Sequence, residues 1–352
     1  MTNAVAVSEM VTSSHDRLSC SYAKAHLRIA FATRHDAFQW LESQHRNCMA
    51  VISAAAEAGL HRQVWQLVHA MRPSWRQHRR YPDWITAHEL AVRSAIECGN
   101  AKAYMVLALS LGTALRSAGS HEAARGRFSD VLEMSAVILD RRATAQALRG
   151  IGATHCAARR FADARAFLDQ ALRVSKENGS WREVALTDIV HARIDMFQGR
   201  HAVAVERLTA AQNLLTTAGD PYEASRARAY LSRACCLAGD TVSARKYGRA
   251  AREGFLAFLA GAPDLWSARS LEFLAFAELA ARNARAAQDL MADALAEYEV
   301  LSSTDAARLR AHLLRVRATA RASVPSAVPV PVGAASAPDA SAAPDNGRAG
   351  AQ

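Results

Sequence analysis

Apolar and polar residues follow one another along the chain with the spacing of amphipathic helices rather than of strands. Between residues 161 and 172, Ala164, Leu168 and the Ala171–Leu172 pair stand three or four positions apart, so they share one helix face. The same skeleton recurs, and its first alanine stands at positions 124, 164, 204, 244 and 287, separated by 40, 40, 40 and 43 residues. This self-similarity predicts a repeat protein whose unit is one supersecondary element.

Another helix precedes the helix that carries each of these alanines, and it has a small residue near its middle. The residue pairs are Leu111 with Gly112, Ile151 with Gly152, His191 with Ala192, Leu231 with Ser232, and Leu274 with Ala275. Turns at 118–120, 198–200 and 238–240 separate the two helices of a unit, and turns at 178–180, 219–221 and 261–263 separate units. The sequence therefore predicts antiparallel helix pairs in series, with the extra residues of the last spacing in the loop at 260–266.

This pattern of a large and a small residue on the first helix, then alanine, a large apolar residue and alanine on the second, resembles the tetratricopeptide repeat. In that family one helix pair repeats about every 34 residues. The period of 40 residues in this chain therefore implies longer helices or loops. Trp65, Trp84 and Ala91 continue the similarity upstream. Over residues 22–315 the chain resembles the C-terminal repeat domain of large actinobacterial antibiotic-regulatory and nucleotide-switched transcriptional regulators.

The resemblance implies an all-α fold, a right-handed superhelical solenoid of antiparallel helix pairs with about seven pairs. We expect a flexible N-terminus at 1–21, the tetratricopeptide-like repeat domain at 22–318, and a disordered tail at 319–352, which is rich in Pro and Ala. The resembled regulators carry a DNA-binding domain and a P-loop NTPase ahead of their repeats, but no GxxxxGK[ST] motif occurs here. We therefore expect a repeat domain that acts in trans on another protein.

Cysteine usage and hydropathy predict the compartment. The six cysteines, at positions 20, 48, 98, 156, 235 and 236, form no CxxC pair, which is typical of reduced, buried thiols. The first 20 residues lack the basic head and apolar stretch of a signal peptide. No uninterrupted apolar run reaches the length of about 18 residues that a membrane span needs. We expect a cytoplasmic protein without a membrane segment.

The chain is basic, with a formal net charge of +10 from 43 basic and 33 acidic side chains. Such a charge can attract acidic proteins or nucleic acid, or can belong to a solvated surface. Trp40, Trp65, Trp75 and Trp84 could stack bases between the arginines, but an N-terminal packing core is the simpler explanation. We therefore expect a protein or peptide partner of acidic character and no nucleic acid.

Arginines are the candidate ligand-binding residues. In a helical solenoid the concave surface is where partners usually bind, and the repeat register predicts six arginines on it: Arg116, Arg149, Arg193, Arg226, Arg233 and Arg269. Arg193 and Arg233 stand 40 residues apart, at equivalent repeat positions. A row of guanidinium groups suits carboxylates, phosphates or an acidic peptide. The alternative is that these arginines pair with acidic residues of neighbouring helices.

Many peptide-binding tetratricopeptide-repeat proteins hold a peptide backbone with asparagines on the inner helix face. This chain has no asparagine at the corresponding positions. Those positions hold Ser110, Gly150, Val190, Tyr230 and Phe273. The resemblance therefore does not imply that an extended peptide is gripped in that manner.

No motif predicts a catalytic, cofactor-binding or metal site. The 13 histidines form no HExxH motif and no close Cys/His quartet. His61 and His69, eight residues apart, and His155 beside Cys156 are interpreted as structural. A nucleophile built from Cys156 and His191 is conceivable, but His191 occupies a packing position of its repeat.

The sequence therefore predicts a protein- or peptide-binding module and, by analogy with the resembled regulators, a regulatory adaptor in transcription or secondary-metabolism control. Two alternatives stay open: an enzyme of a biosynthetic pathway that uses the groove for a small molecule, and a scaffold without a discrete ligand. Convergent titratable residues in the groove would favour the enzyme. Closure of the groove by the 260–266 insertion or by the tail would favour the scaffold.

Overall fold

The described part of the chain is helical throughout. The structure is a computed structural model that describes residues 31–72, 74–75, 80–259, 261, 263–301 and 305–322, with side chains described up to residue 317. These ranges contain fifteen α-helices and no β-strand, and none of the helices is both long and apolar enough to cross a membrane. The helices are α1 (Arg34–Ser43), α2 (His45–Glu57), α3 (His61–Ala70), α4 (Tyr81–Glu97), α5 (Ala101–Ser117), α6 (His121–Val137), α7 (Arg141–Ala157), α8 (Phe161–Glu177), α9 (Trp181–Phe197), α10 (His201–Thr217), α11 (Pro221–Leu237), α12 (Thr241–Phe258), α13 (Leu265–Ala280), α14 (Ala284–Val300) and α15 (Asp305–Ala322).

Twelve of these helices, α3 to α14, form six antiparallel pairs in series, and α15 packs against α14 at the end of the row. From α5 onward, the first helices of successive pairs also contact one another. The stack is a right-handed superhelical solenoid, so the predicted fold class is confirmed. The predicted start of the tail at residue 319 falls within the last turn of α15, while the predicted flexible segment 1–21 and residues 323–352 lie outside the described residues.

Local side-chain chemistry explains where the helices begin and end. Asn100, Asp140 and Asp240 accept hydrogen bonds from backbone N–H groups three residues on, and so cap α5, α7 and α12. Gly99 ends the preceding helix with a φ of 61°, a left-handed conformation that favours glycine. One repeat later, Leu139 adopts the same conformation with a φ of 56°. The turn geometry therefore persists even where the sequence lacks the glycine.

Small residues lie where the two helices of a pair touch. A Cβ atom added to Gly152 would lie 2.7 Å from Leu168 Cγ and 3.1 Å from the carbonyl oxygen of Ala164. A Cβ atom added to Gly112 would lie 2.8 Å from the ring of Phe128. Forcing extra atoms into such contacts costs about 1–3 kcal/mol. The prediction that a small residue allows close approach at these two positions is confirmed.

The superhelix brings α1 against the end of α12. Arg34 donates a hydrogen bond to the carbonyl oxygen of Phe258 at 2.8 Å, and its guanidinium carbon lies 4.3 Å from the centroid of that ring. Leu259 is buried in the same apolar cluster as Phe38 and Leu41 of α1. The connection at 259–264 is longer than the one at 218–220, so the predicted insertion lies here. The start of this loop therefore joins the two ends of a superhelical turn.

Candidate ligand-binding cavity

A cavity of about 720 Å³ lies on the concave side of the superhelix. Its apolar walls come mainly from the first helices of consecutive pairs, and include Met105 and Leu109 on α5, Leu186 and Ile189 on α9, and Leu265 on α13. Pockets that bind small ligands usually have volumes of roughly 300–1,000 Å³. The cavity thus has the size of a binding pocket, and the contact between α1 and α12 does not fill it.

Basic side chains dominate the polar lining of the cavity. Among the described residues that line it, nine are basic and two are acidic. The basic residues are Arg72, Lys102, Arg116, Arg142, Arg149, Arg182, Arg193, Arg226 and Arg269, and the acidic ones are Asp140 and Glu223. A cleft lined by one sign of charge concentrates the electrostatic potential and attracts the opposite charge. The arrangement therefore suits an anion.

Five of the six arginines predicted for the groove come together at this cavity. Arg116, Arg149, Arg193, Arg226 and Arg269 lie on α5, α7, α9, α11 and α13, one from each of five consecutive first helices. Arg233 is not among the residues that line the cavity, and its guanidinium carbon lies 4.9 Å from the centroid of the Phe276 ring. Arg193 and Arg233 therefore have different surroundings in spite of their equivalent repeat positions.

Three of the five arginines are paired with carboxylates. The nitrogen-to-oxygen distances are 2.5 Å for Arg149 with Glu183, 2.7 Å for Arg226 with Glu223, and 2.5 Å for Arg269 with Asp305. In two of the pairs the acid belongs to the first helix of the following pair or to α15, so the ion pairs connect neighbouring repeats. These three arginines therefore pair with acidic residues, which was the alternative to a ligand-binding role in the sequence analysis.

Arg116 and Arg193 have no carboxylate partner among the described residues. Burial of Arg116, together with the charges of Arg193, Arg149 and Arg226, lowers the pKa of Arg116 to about 10. Arg193 lies 5.9 Å from the ring centroid of Tyr230, and the proximity of this phenol raises the pKa of Arg193. Both arginines are partly buried, so water screens their charges less than it would at the surface.

Aromatic rings form much of the remaining wall. They belong to Tyr81, Trp84, Phe128, Tyr222, Tyr230 and Trp266. The guanidinium carbons of Arg226 and Arg269 lie 5.8 and 5.4 Å from the ring centroid of Trp266, within the range of cation–π attraction. Trp84 is buried and donates a hydrogen bond to Ser110 Oγ at 3.2 Å, so it both packs and contributes to the wall.

Sequence reasoning missed five lining residues that share one register position. Each is the second residue of a first helix, and they are Lys102, Arg142, Arg182, Tyr222 and Trp266. The shared position was the signal available in the sequence, because residues at one register position of a solenoid occupy equivalent places in successive repeats. The register used in the prediction was set by the middle of the helix and did not extend to its first turn.

The candidate nucleophile pair lies outside the cavity lining. His191 is buried, and burial lowers its pKa to about 4. Burial also raises the pKa of the Cys156 thiol, which disfavours the thiolate. The expectation of buried thiols holds for Cys48, Cys156 and Cys235 but is wrong for Cys98, which is exposed. Cys236 is half-buried, and Cys20 lies outside the described residues. Within the described ranges, no cluster of three or more His, Cys, Asp or Glu side chains could hold a metal ion.

Comparison with known proteins supports the fold. A tetratricopeptide-repeat family model matches residues 104–177. No protein with a curated description matches the chain. BtubC (BKLC) from P. vanneervenii is similar in structure, with 15% identity over 75% of this chain and 99% of that chain and a TM-score of 0.51.

Two further solved structures show the same architecture. A Rap protein complexed with Competence and Sporulation Factor has 12% identity over 74% of this chain and 76% of that chain, with a TM-score of 0.53. NprR in complex with its cognate peptide NprX has 11% identity over 83% of this chain and 86% of that chain, with a TM-score of 0.52. At these identities the likeness concerns the fold. Residues 104–177 match the tetratricopeptide-repeat family, and similar helix pairs continue on both sides of this segment in the described structure.

Proposed function

We propose that the chain is a protein- or peptide-binding module that takes an acidic part of its partner into the concave cavity. The observation that carries this proposal is the charge of the lining, in which nine basic side chains face two acidic ones among the described residues. Arg116 and Arg193 have no carboxylate partner there, so an incoming anion would supply the charge that the chain does not.

The architecture supports the proposal by analogy. Two structures of similar fold hold a partner: the Rap protein is complexed with Competence and Sporulation Factor, and NprR is in complex with its cognate peptide NprX. Stacked helix pairs provide an extended concave surface for such partners. A regulatory adaptor, in transcription or secondary-metabolism control, is the corresponding role for this chain, and it rests on the resemblance to regulators alone.

The two carboxylates at the cavity favour binding over acid–base catalysis, because both are engaged. Asp140 accepts a hydrogen bond from the backbone N–H of Ala143 at 2.9 Å and caps α7. Glu223 lies 2.7 Å from Arg226. Each carboxylate therefore has a partner within the fold, which favours binding by the basic lining over a role as general base.

The proposal is tested with labelled acidic, neutral and basic peptides of equal length, whose binding is followed by fluorescence anisotropy. Acidic peptides are expected to bind at least about tenfold more tightly than neutral ones, a difference of about 1.4 kcal/mol. Their affinity should fall as salt is added, because salt screens the attraction between charges.

Two charge-reversal variants locate the binding surface. Arg116→Glu/Arg193→Glu should lose the preference for acidic peptides, whereas Arg233→Glu, which changes an arginine outside the cavity lining, should keep it. Equal binding of acidic and neutral peptides, or an unchanged preference in the double variant, would contradict the proposal.

A further inference from the structure

Arg116 shares the cavity lining with Arg149, Arg193 and Arg226, which belong to the next three first helices. The charges of Arg193, Arg149 and Arg226 all act on it. Arg149 and Arg226 each have one carboxylate within ion-pair distance, from Glu183 and Glu223. Arg116 and Arg193 have none among the described residues. Glu183 is also shared with Arg182 at 3.5 Å and Arg142 at 3.8 Å. Among the described residues, the four arginines therefore retain an excess of at least two positive charges in a partly buried site.

The size of this excess distinguishes between kinds of anion. A carboxylate carries one negative charge, which would leave the second arginine uncompensated. A phosphate monoester carries about −1.5 to −2 charges at neutral pH and offers three acceptor oxygens. Guanidinium groups match phosphate with planar, paired N–H donors. Arg116 and Arg193 come from helices two pairs apart, α5 and α9, so one anion could bridge repeats that do not adjoin in sequence.

We infer that the acidic group taken by the cavity is a phosphate monoester dianion, bound by Arg116 and Arg193. The inference rests on the proposed function, since it names the acidic group that the same cavity binds. Two sources share this chemistry, a phosphorylated side chain of a peptide and a free phosphorylated small molecule. The rings of Tyr230 and Trp266 would pack against the body that carries the phosphate.

The contact between α1 and α12 agrees with a compact ligand. Arg34 is hydrogen bonded to the carbonyl oxygen of Phe258, and the ring of Phe258 lies 5.3 Å, centroid to centroid, from that of Tyr222, a residue of the cavity wall. A ligand of about 720 Å³ would fill the cavity as it stands, with this contact in place.

The test uses phenyl phosphate and benzoate, which share a ring and differ in the anionic group, as calorimetric probes in phosphate-free buffer. The second pKa of a phosphate monoester is about 6, so its binding should tighten by about tenfold between pH 5 and pH 7.5 as the dianion forms. Benzoate should bind more weakly and change little over this range. No histidine lies among the described lining residues, so no side chain there is of a type that ordinarily titrates in this range.

Three matched variants assign the effect to residues. Arg116→Gln and Arg193→Gln should each weaken phenyl phosphate binding by at least about tenfold and flatten its pH dependence, as expected when one charge-assisted contact is lost. Arg233→Gln should behave like the wild type. Circular dichroism establishes that each variant is folded, and Arg116→Gln should fold readily because it relieves repulsion between like charges.

A second pair of titrations distinguishes the two sources of phosphate. A phosphotyrosine peptide is compared with its unphosphorylated form, and adenosine monophosphate is compared with adenosine. Equal binding of phenyl phosphate and benzoate, or undiminished binding by both Arg116→Gln and Arg193→Gln, overturns the inference. If no phosphate probe binds while acidic peptides do, the inference fails and the proposed function stands. If acidic peptides also fail to bind, both fail.

Discussion

Two residues only two positions apart on α9 belong to opposite kinds of charged cluster. Asp195 is 1% exposed and lies 2.6 Å from Arg165, 2.8 Å from Arg200 and 3.2 Å from Arg207. Arg193 points to the cavity, where it lies near Arg116 without a carboxylate among the described residues. Within the described residues, the chain thus supplies a counter-charge to the arginines around Asp195 but none to Arg116 and Arg193.

Structural arginines can be separated from candidate ligand-binding arginines by whether each contacts a carboxylate in the described structure. Around Asp195 three guanidinium groups converge on one buried carboxylate and connect α9 to α8 and α10, which stabilises the hairpins. Around Arg116 like charges share a partly buried site, an arrangement that is unfavourable in the free protein and that the proposed anion would relieve. An arginine count along the sequence treats both clusters alike.

The largest effect is expected where a buried carboxylate is removed. Asp195→Asn should lower the free energy of unfolding by about 3 kcal/mol, because it leaves Arg165, Arg200 and Arg207 without their shared counter-charge. Urea denaturation followed by circular dichroism measures the loss. Asp169→Asn is the matched control, since Asp169 is 66% exposed and should change stability by less than about 0.5 kcal/mol. Equal losses in the two variants would show that Asp195 is not the centre of a structural cluster.

Glu183→Gln should lower the free energy of unfolding by about 2 kcal/mol at pH 7, as expected for the loss of hydrogen bonds to a charged group. Burial opposes ionisation of Glu183, but Arg149, the Gln146 amide and Arg182 together hold its pKa below the ordinary value of 4.5. Because the pKa of Glu183 is lower in the folded protein, its carboxylate contributes fully to stability above the ordinary pKa. This contribution is lost as the pH falls through the pKa of the folded protein. Melting temperatures from pH 7 down to pH 3 should therefore converge for the wild type and Glu183→Gln.

The control for that experiment is Glu177→Gln. Glu177 is 61% exposed and lies 2.8 Å from Arg141 in a surface ion pair. Such pairs contribute about 0–1 kcal/mol, so this variant should follow the wild type closely at every pH. A parallel acid-induced loss in Glu183→Gln and the wild type would argue that other carboxylates cause it.

Arg116→Gln should raise the free energy of unfolding of the ligand-free protein by about 1 kcal/mol. The pKa of Arg116 is lowered to about 10 by burial and by Arg193, Arg149 and Arg226, so the fold disfavours its charged form. The guanidinium keeps its charge at neutral pH, so the gain should be complete at pH 7. Thermal unfolding at low ionic strength measures it, with Arg233→Gln as the control that should show no gain. A loss of stability in Arg116→Gln would place this arginine among the structural ones.

The smallest effect converts one kind of cluster into the other. Thr113 lines the cavity one helical turn before Arg116 on α5, so Thr113→Glu would supply a carboxylate at the i, i+3 position. The added pair should stabilise the protein by about 0.2–0.5 kcal/mol and reduce phenyl phosphate binding, because the new carboxylate competes for the guanidinium. Thr113→Gln controls for size. Unchanged phosphate binding in Thr113→Glu would show that Arg116 does not contact the anion.

Much of the fold could be predicted from local pattern. The alanines at 124, 164, 204, 244 and 287 are all fully buried on second helices, as their spacing required. Gly112 and Gly152 lie at helix contacts because a hairpin is a short-range structure whose two helices are separated by a few residues. The arginines on first helices were also identified, since the repeat register alone places Arg116, Arg149 and Arg193 on those helices.

The composition of the cavity could not be predicted in the same way. Arg233 shares its repeat position with Arg193, yet only Arg193 lines the cavity. Tyr222 and Trp266 complete the wall from a register position that carries Lys, Arg and aromatic side chains in different repeats. Which repeats face a common centre depends on the curvature of the superhelix, and that curvature accumulates from small rotations between successive helix pairs.

By itself, the sequence determined the helices, their pairing and the repeat, because these depend on neighbours within one or two helical turns and on short connections. The contact of Arg34 with Phe258 and the meeting of five arginines from five repeats at one cavity depend on the tertiary structure. So does the finding that two of these arginines have no carboxylate partner among the described residues. The physical reason is distance. Coulomb interactions depend on separation in space, and in a solenoid that separation is the sum of many small rotations that no single repeat contains.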